Sequence, residues 1–237
     1  MRTHIDTNYR YSFYRGERCK HCGLPVPVFG LGHLTQSNEG TFIEKGQYLD
    51  ETSQKQNKFF LFNDNPTEKY FLGRFLTLYE ERFKGDTEFD VIGIAPSHEK
   101  GSYNSNLERI ATDLGNALNV GVDPTLVKRV RTTAKQHELK SKHERVSNVH
   151  GSMEITEDVT GKNVLILDNT VITGATATEI FNILKERCAA VVVFFCVALG
   201  YKATEIDFDL NPNSKVKASE IMKWNWPKLE KSKRLLK

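Results

Sequence analysis

The sequence predicts an α/β fold, a parallel sheet with helices on both faces, and three observations lead there. Apolar runs of strand length alternate with longer segments whose apolar residues recur every three or four positions. The run 164–167, inside "NVLILDNTVITGATATEI" (163–180), is apolar without alternation, as a strand buried on both faces must be. That run ends on an acid, a short polar loop and a helical pattern, and open α/β sheets bind ligands at such carboxyl ends.

The elements follow in order. Residues 1–57 read as a small N-terminal module of weak periodicity, carrying Cys19 and Cys22 and the stretch "PVPVFGLG". "FFLF" (59–62) is a strand candidate. Pro66 opens a helix through Phe83, with Tyr70, Phe71, Phe75, Leu78, Tyr79 and Phe83 on one stripe that faces the core. "FDVIGIA" (89–95) is a β run ended by Pro96. Residues 103–119 are helical, with Leu107, Ile110, Leu114 and Leu118 on one face. Strands are expected at 125–130, 152–155, 163–168 and 190–199, and a helix at 175–187. The polar, basic stretch 131–151 is too long for a simple connector, and reads as a functional lid or a disordered segment. The main domain is therefore 58–205, followed by a basic tail, 206–237.

Composition narrows the class. With 39% hydrophobic and 27% charged residues in 237, the chain is a globular protein and not a disordered one. Its longest apolar run, 189–199, is too short to cross a bilayer, and the first residues (MRTHIDTNYR) lack a signal-peptide core, so no membrane partner and a cytoplasmic location are expected. Charge is uneven under the net +3: residues 211–237 hold eight Lys/Arg against two Glu, and 128–150 hold seven against two. Clusters of this kind favour phosphates, pyrophosphate or nucleic acid, although a solvated basic surface has the same composition.

The loop after 164–167 carries the chemistry. Asp168 and Asn169 stand at the strand's carboxyl end. Thr170 to Thr176 lead into a helix whose first-turn N–H groups and positive dipole end can hold an anion. Gly174 lets the backbone approach a ligand; Thr173 and Thr176 offer hydroxyl donors, or one of them simply caps the helix. An acceptor beside a phosphate cradle suits a phosphorylated sugar, with Asp168 on its hydroxyls.

This strand-and-loop pattern resembles the phosphoribosyl pyrophosphate signature of type I phosphoribosyltransferases. Upstream, "VIGIAPSHEKGSYNSN" (91–106) and "RVRTTAKQHELKSKHERVSNVHGSMEI" (129–155) resemble the ComF subfamily. The matching elements are Lys100-Gly101-Ser102-Tyr103-Asn104, Gln136-His137-Glu138-Leu139 and Arg145-Val146-Ser147-Asn148. The likeness spans roughly residues 89–200, and an N-terminal C-x-x-C module is also typical of that subfamily.

The resemblance implies a type I phosphoribosyltransferase-like sheet and a Mg²⁺-dependent site for phosphoribosyl pyrophosphate or a related nucleotide. Transfer of the phosphoribosyl group would release pyrophosphate. Asp168, with Asn169, would hold ribose hydroxyls; Thr170, Thr173, Gly174, Ala175 and Thr176 the 5′-phosphate. Ser97 and Lys100 would lie at the pyrophosphate, and Lys140 and Arg145 would reach it from a mobile cover. Asn169 departs from the family, which usually has a second acid there; that leaves a sensor without turnover as the alternative to an enzyme.

Two features stand outside that reading. Cys19-Lys20-His21-Cys22 has the spacing of half a Zn²⁺ site, completed by His4, His21, His33 or a second subunit in an oligomer; it is equally compatible with a metal-free turn, and a redox pair is the lesser alternative. Cys188 and Cys196 are expected as reduced, buried packing residues. The tail interleaves Lys and Arg with Trp224 and Trp226, a composition that suits single-stranded nucleic acid or a C-terminal helix packed on the domain. The ComF likeness, whose name comes from DNA uptake in competent bacteria, adds a non-catalytic role in DNA uptake or processing as the competing function.

Overall fold

A computed structural model describes residues 11–18, 25–31, 33–34, 65–200, 206–210 and 217–223. Its elements in chain order are β1 (Tyr11–Arg18), β2 (Pro25–Gly30), β3 (His33–Leu34), α1 (Asn65–Arg82), β4 (Val91–Ile94) and α2 (Ser105–Leu118). There follow β5 (Gly121–Val122), β6 (Val127–Arg129), α3 (Lys142–Val149), β7 (Met153–Ile155), β8 (Asn163–Val171), α4 (Ala175–Glu186), β9 (Val191–Gly200), β10 (Ile206–Leu210) and α5 (Ala218–Lys223).

The main sheet runs β10-β1-β2-β9-β8-β4-β5, with β3 also on β9. From β2 to β5 every pairing is parallel. At the far edge β1 is antiparallel to both β2 and β10. β2 and β3, which the sequence places in an N-terminal module, thus pair directly with β9.

Alternation along β8 explains the two layers. Leu165 and Leu167 face a core shared with α1 and α2, whereas Val164 and Ile166 face one shared with α4, the short strands β6 and β7, and Val149 of α3. Because both faces are covered, neither can be polar, which is why the run reads apolar without alternation. The first core is aromatic. Phe195 of β9 stacks on Phe75 at 5.7 Å and meets Phe83 edge-on at 5.1 Å, with Phe29 and Phe89 within ring contact.

Several expectations need correction. The strands expected at 125–130 and 152–155 do not join the parallel sheet; β6 and β7 pair with each other as an antiparallel ribbon. The stretch 131–151 is not a bare loop. Residues 136–138 form a 3₁₀ turn and α3 follows, opened by a capping box in which the Ser141 hydroxyl accepts from Glu144 N and the Glu144 carboxylate accepts from Ser141 N. Cys188 is exposed, at φ 59° in the turn after α4, and does not pack; Cys196 is buried as expected. "FFLF" (59–62) lies outside the described residues. No helix among those described is long and apolar enough to cross a membrane.

The start of the tail docks on the domain. Ser219 N and its hydroxyl both donate to the Asp86 carboxylate, and Lys217 Nζ donates to the carbonyls of Glu81 and Lys84. Trp224 and Trp226 lie outside the described residues.

Phe195→Ala should lower unfolding stability by about 3–5 kcal/mol, the usual cost of emptying a packed aromatic site. Urea denaturation measures it, and a loss below about 1 kcal/mol would mean that the cluster does not hold α1 to the sheet.

Candidate functional site

Sheet order locates the site before any side chain does. β4 leads through α2 to β5 on its outer side, whereas β8 leads through α4 to β9 on the other side. The winding direction therefore reverses between β4 and β8, and a crevice opens at their carboxyl ends. Pairing with β4 stops at Leu167, whose carbonyl accepts from Ala95 N at 2.9 Å. Pairing with β9 continues to Val171. Asp168 is consequently not the tip of its strand, as the sequence suggested, but the first residue beyond β4.

Asp168, Thr170, Thr173, Gly174, Ala175 and Thr176 line one cavity with Gln136 and Arg145. Gly174 is the N-cap of α4 at φ 72° and has no side chain to offer the first-turn amides. Neither Thr173 nor Thr176 occupies the capping position, which leaves those N–H groups available to an anion. A β-carbon at Gly174 would force the left-handed backbone into strain.

The electrostatics centre on Asp168, only 8% exposed. Burial pushes its carboxyl up to about 7, against hydrogen bonds from the backbone of Asn169 and Thr170 and the charge of Arg129. Asn169 N donates to Asp168 Oδ1 at 2.7 Å. Asn169 itself turns its Oδ1 onto Thr170 N at 2.6 Å.

Arg129, on β6, escaped the sequence reading and is 2% exposed. Its Nε donates to the carbonyl of Ser97 at 2.6 Å and its Nη1 to the Ser152 hydroxyl at 2.7 Å. Burial lowers its pKa first and the neighbouring Arg131 second, while Asp168 opposes both. It thereby ties the 96–101 loop, the ribbon and the Asp168 field together. The loop is braced further: Lys100 N donates to the Thr132 hydroxyl, and Thr133 N to the His98 carbonyl.

The 131–151 segment is held over the crevice by a dense set of bonds. Asn148 exchanges two hydrogen bonds with the backbone of Ala134. Arg131 Nη2 donates to the carbonyls of Asn148 and His150. Glu179 of α4 accepts from Gly151 N at 2.7 Å. Arg145 faces the cavity but donates Nε and Nη2 to the carbonyl of Leu139. Lys100 and Lys140 are exposed and stand outside the cavity wall, and Ser97 takes part through its carbonyl. Cys19 and Cys22 lie outside the described residues, among which no group of three or more His, Cys, Asp or Glu could hold a metal.

Fold and site together define an α/β domain with an anion-ready crevice at the reversal of its sheet. No family model matches the chain. It is 30% identical, over 100 residues, to the DNA utilization protein YhgH of Salmonella typhi and to that of Salmonella typhimurium. The match takes in 42% of this chain and 43% of each relative. Among solved structures, the purine phosphoribosyltransferase of Pyrococcus horikoshii aligns at 17% identity over 56% of this chain and 76% of that one, with a TM-score of 0.34. The adenine phosphoribosyltransferase of Saccharomyces cerevisiae aligns at 17% over 59% and 72%, with a TM-score of 0.38. Scores of this size add nothing to what the sheet order already shows.

The raised carboxyl has a measurable consequence. A group that keeps its proton longer when folded binds more protons in the native state, so stability falls as pH rises from the ordinary carboxylate range to about 7. Arg129 from the ribbon, Cys196 from β9 and Arg145 across the cavity are the other charged or titratable groups around Asp168. Asp168→Asn, which cannot ionise, should gain on the wild type between pH 5 and pH 8 by an amount on the order of a few kcal/mol. Urea midpoints at the two pH values measure it; an unchanged difference would contradict the burial of an ionising carboxyl.

Proposed function

We propose that the crevice binds phosphoribosyl pyrophosphate or a closely related nucleotide. The observation that carries this reading is a buried carboxyl at the sheet reversal beside a helix N-terminus whose cap has no side chain. An acceptor set next to an anion cradle matches a sugar whose hydroxyls donate and whose phosphate accepts. In this assignment Asp168 accepts from a ribose hydroxyl. The amides at Ala175 to Ala177, with the hydroxyls of Thr173 and Thr176, take the 5′-phosphate. Arg129 positions the 96–101 loop, which receives the pyrophosphate.

The residues present fit a Mg²⁺ that arrives with the ligand better than a preformed metal site. Asp168 is a single carboxylate, and Mg²⁺ is commonly held by one carboxylate, substrate phosphates and water. When bound, the ion would neutralise charge on the pyrophosphate. Transfer to an acceptor nitrogen, with pyrophosphate leaving, is the activity to be sought. Asn169, neutral and folded onto Thr170 N, lends the site less negative charge for a cationic sugar centre than an acid would, so binding without turnover is the competing form of the same proposal.

A second reading is favoured by the DNA utilization name of the Salmonella relatives. In it the basic residues beyond α5 bind single-stranded nucleic acid, with or without a sugar-phosphate site in the domain. Because Lys217 and Ser219 are engaged with the domain, the part to remove is 224–237.

Calorimetric titration of phosphoribosyl pyrophosphate should give binding that requires Mg²⁺ and weakens roughly ten- to a hundredfold in Asp168→Ala, the range of a lost charge-assisted hydrogen bond. No heat from the wild type with Mg²⁺ would overturn the sugar-phosphate reading. For the second reading, truncation after Lys223 should weaken binding to a single-stranded oligonucleotide and flatten its salt dependence. Unchanged binding at low salt would remove the tail from it.

A further inference from the structure

A furanose with two adjacent hydroxyls offers two donors, and the single carboxyl of Asp168 already takes backbone N–H bonds, so a further acceptor would share the load. Asn169, next along, spends its Oδ1 on Thr170 N. Across the cavity stands Gln136, in the 3₁₀ turn before α3. Its Oε1 is buried and has no hydrogen-bond partner among the described residues. Its Nε2 donates to the carbonyl of Arg145 at 3.4 Å. Exchanging the two ends of the amide would set oxygen against oxygen there, so the orientation is fixed by Arg145 and the carbonyl end is the one left over. A buried amide oxygen without a donor is destabilising, and a donor on a ligand would offset that cost.

We propose that Gln136 accepts a hydrogen bond from a ring hydroxyl of the bound sugar phosphate, doing from the α3 side what a second acid beside Asp168 would do from the strand. The assignment rests on the sugar-phosphate reading above. Phosphate and pyrophosphate oxygens are acceptors only, so among the parts of such a ligand the hydroxyls are what an amide oxygen can read. Gln136 is then a specificity-determining residue, and the segment 136–149 takes part in recognition as well as covering the crevice.

Ribose 5-phosphate and its 2-deoxy and 3-deoxy forms are titrated into wild type, Gln136→Met and Gln136→Glu, with thermal melting to check that each variant is folded. The wild type should bind one deoxy sugar roughly five- to tenfold more weakly than the parent through loss of the Gln136 contact. Gln136→Met, similar in length but without the acceptor, should lose that discrimination, and Gln136→Glu, which keeps an acceptor oxygen, should retain it. The wild type's own preference is informative even if a variant misfolds, since equal affinity for all three sugars overturns the assignment. So does unchanged discrimination in Gln136→Met. If neither ribose 5-phosphate nor phosphoribosyl pyrophosphate with Mg²⁺ binds the wild type, the sugar-phosphate reading fails and the role of Gln136 falls with it.

Discussion

The arrangement depends on one carboxyl buried where two strands part. β8 outruns β4 by four residues while still paired to β9, and Asp168 is the first of the four. Only a sheet that reverses its winding there leaves room at that point, because the connections on the two sides lead away from each other. The carboxyl is tolerated at such depth because backbone N–H groups of Asn169 and Thr170 and the charge of Arg129 act on it. A buried acid with those neighbours holds its surroundings in place, since each would otherwise face an unmet polar group.

Arg129 extends that constraint outward. The guanidinium is itself buried, and its bonds to the Ser97 carbonyl and the Ser152 hydroxyl bind three parts of the chain that the sequence separates. The antiparallel ribbon of β6 and β7, off the main sheet, delivers it. The same ribbon leads into the segment over the crevice, which Asn148, Arg131 and Glu179 fasten at both ends. Cover, loop and strand end thus share a polar framework, while the opposite face of the sheet is closed by the Phe195 cluster.

Much of the fold was legible because burial on two faces leaves a plain trace. The apolar run of β8, the stripe of α1 and the alternation of strands with helices gave the parallel core and its helices nearly residue for residue. The loop into α4 follows that run as read, although β8 continues past Asp168 to Val171. What escaped is non-local. No pattern in "TLVKRV" distinguishes a ribbon from a sheet strand, since pairing partners are not written in periodicity. Arg129 and Gln136 look like members of a basic, polar stretch until the chain folds them inward. The helix α3 could have been found: Ser141 followed by Glu144 is a capping-box signal, and the charge of the stretch obscured it. Cys188 was misplaced because an apolar neighbourhood in sequence includes the turn that ends a helix.

A sugar phosphate bound at the reversal of the sheet would rest its phosphate on the start of α4. Backbone amide NMR during titration with phosphoribosyl pyrophosphate and Mg²⁺ tests it most directly. The largest shifts are expected at Thr173 to Ala177, with further changes at Asp168 and in the 96–101 loop. Shifts confined to other surfaces, with the amides at the start of α4 unmoved, would contradict it.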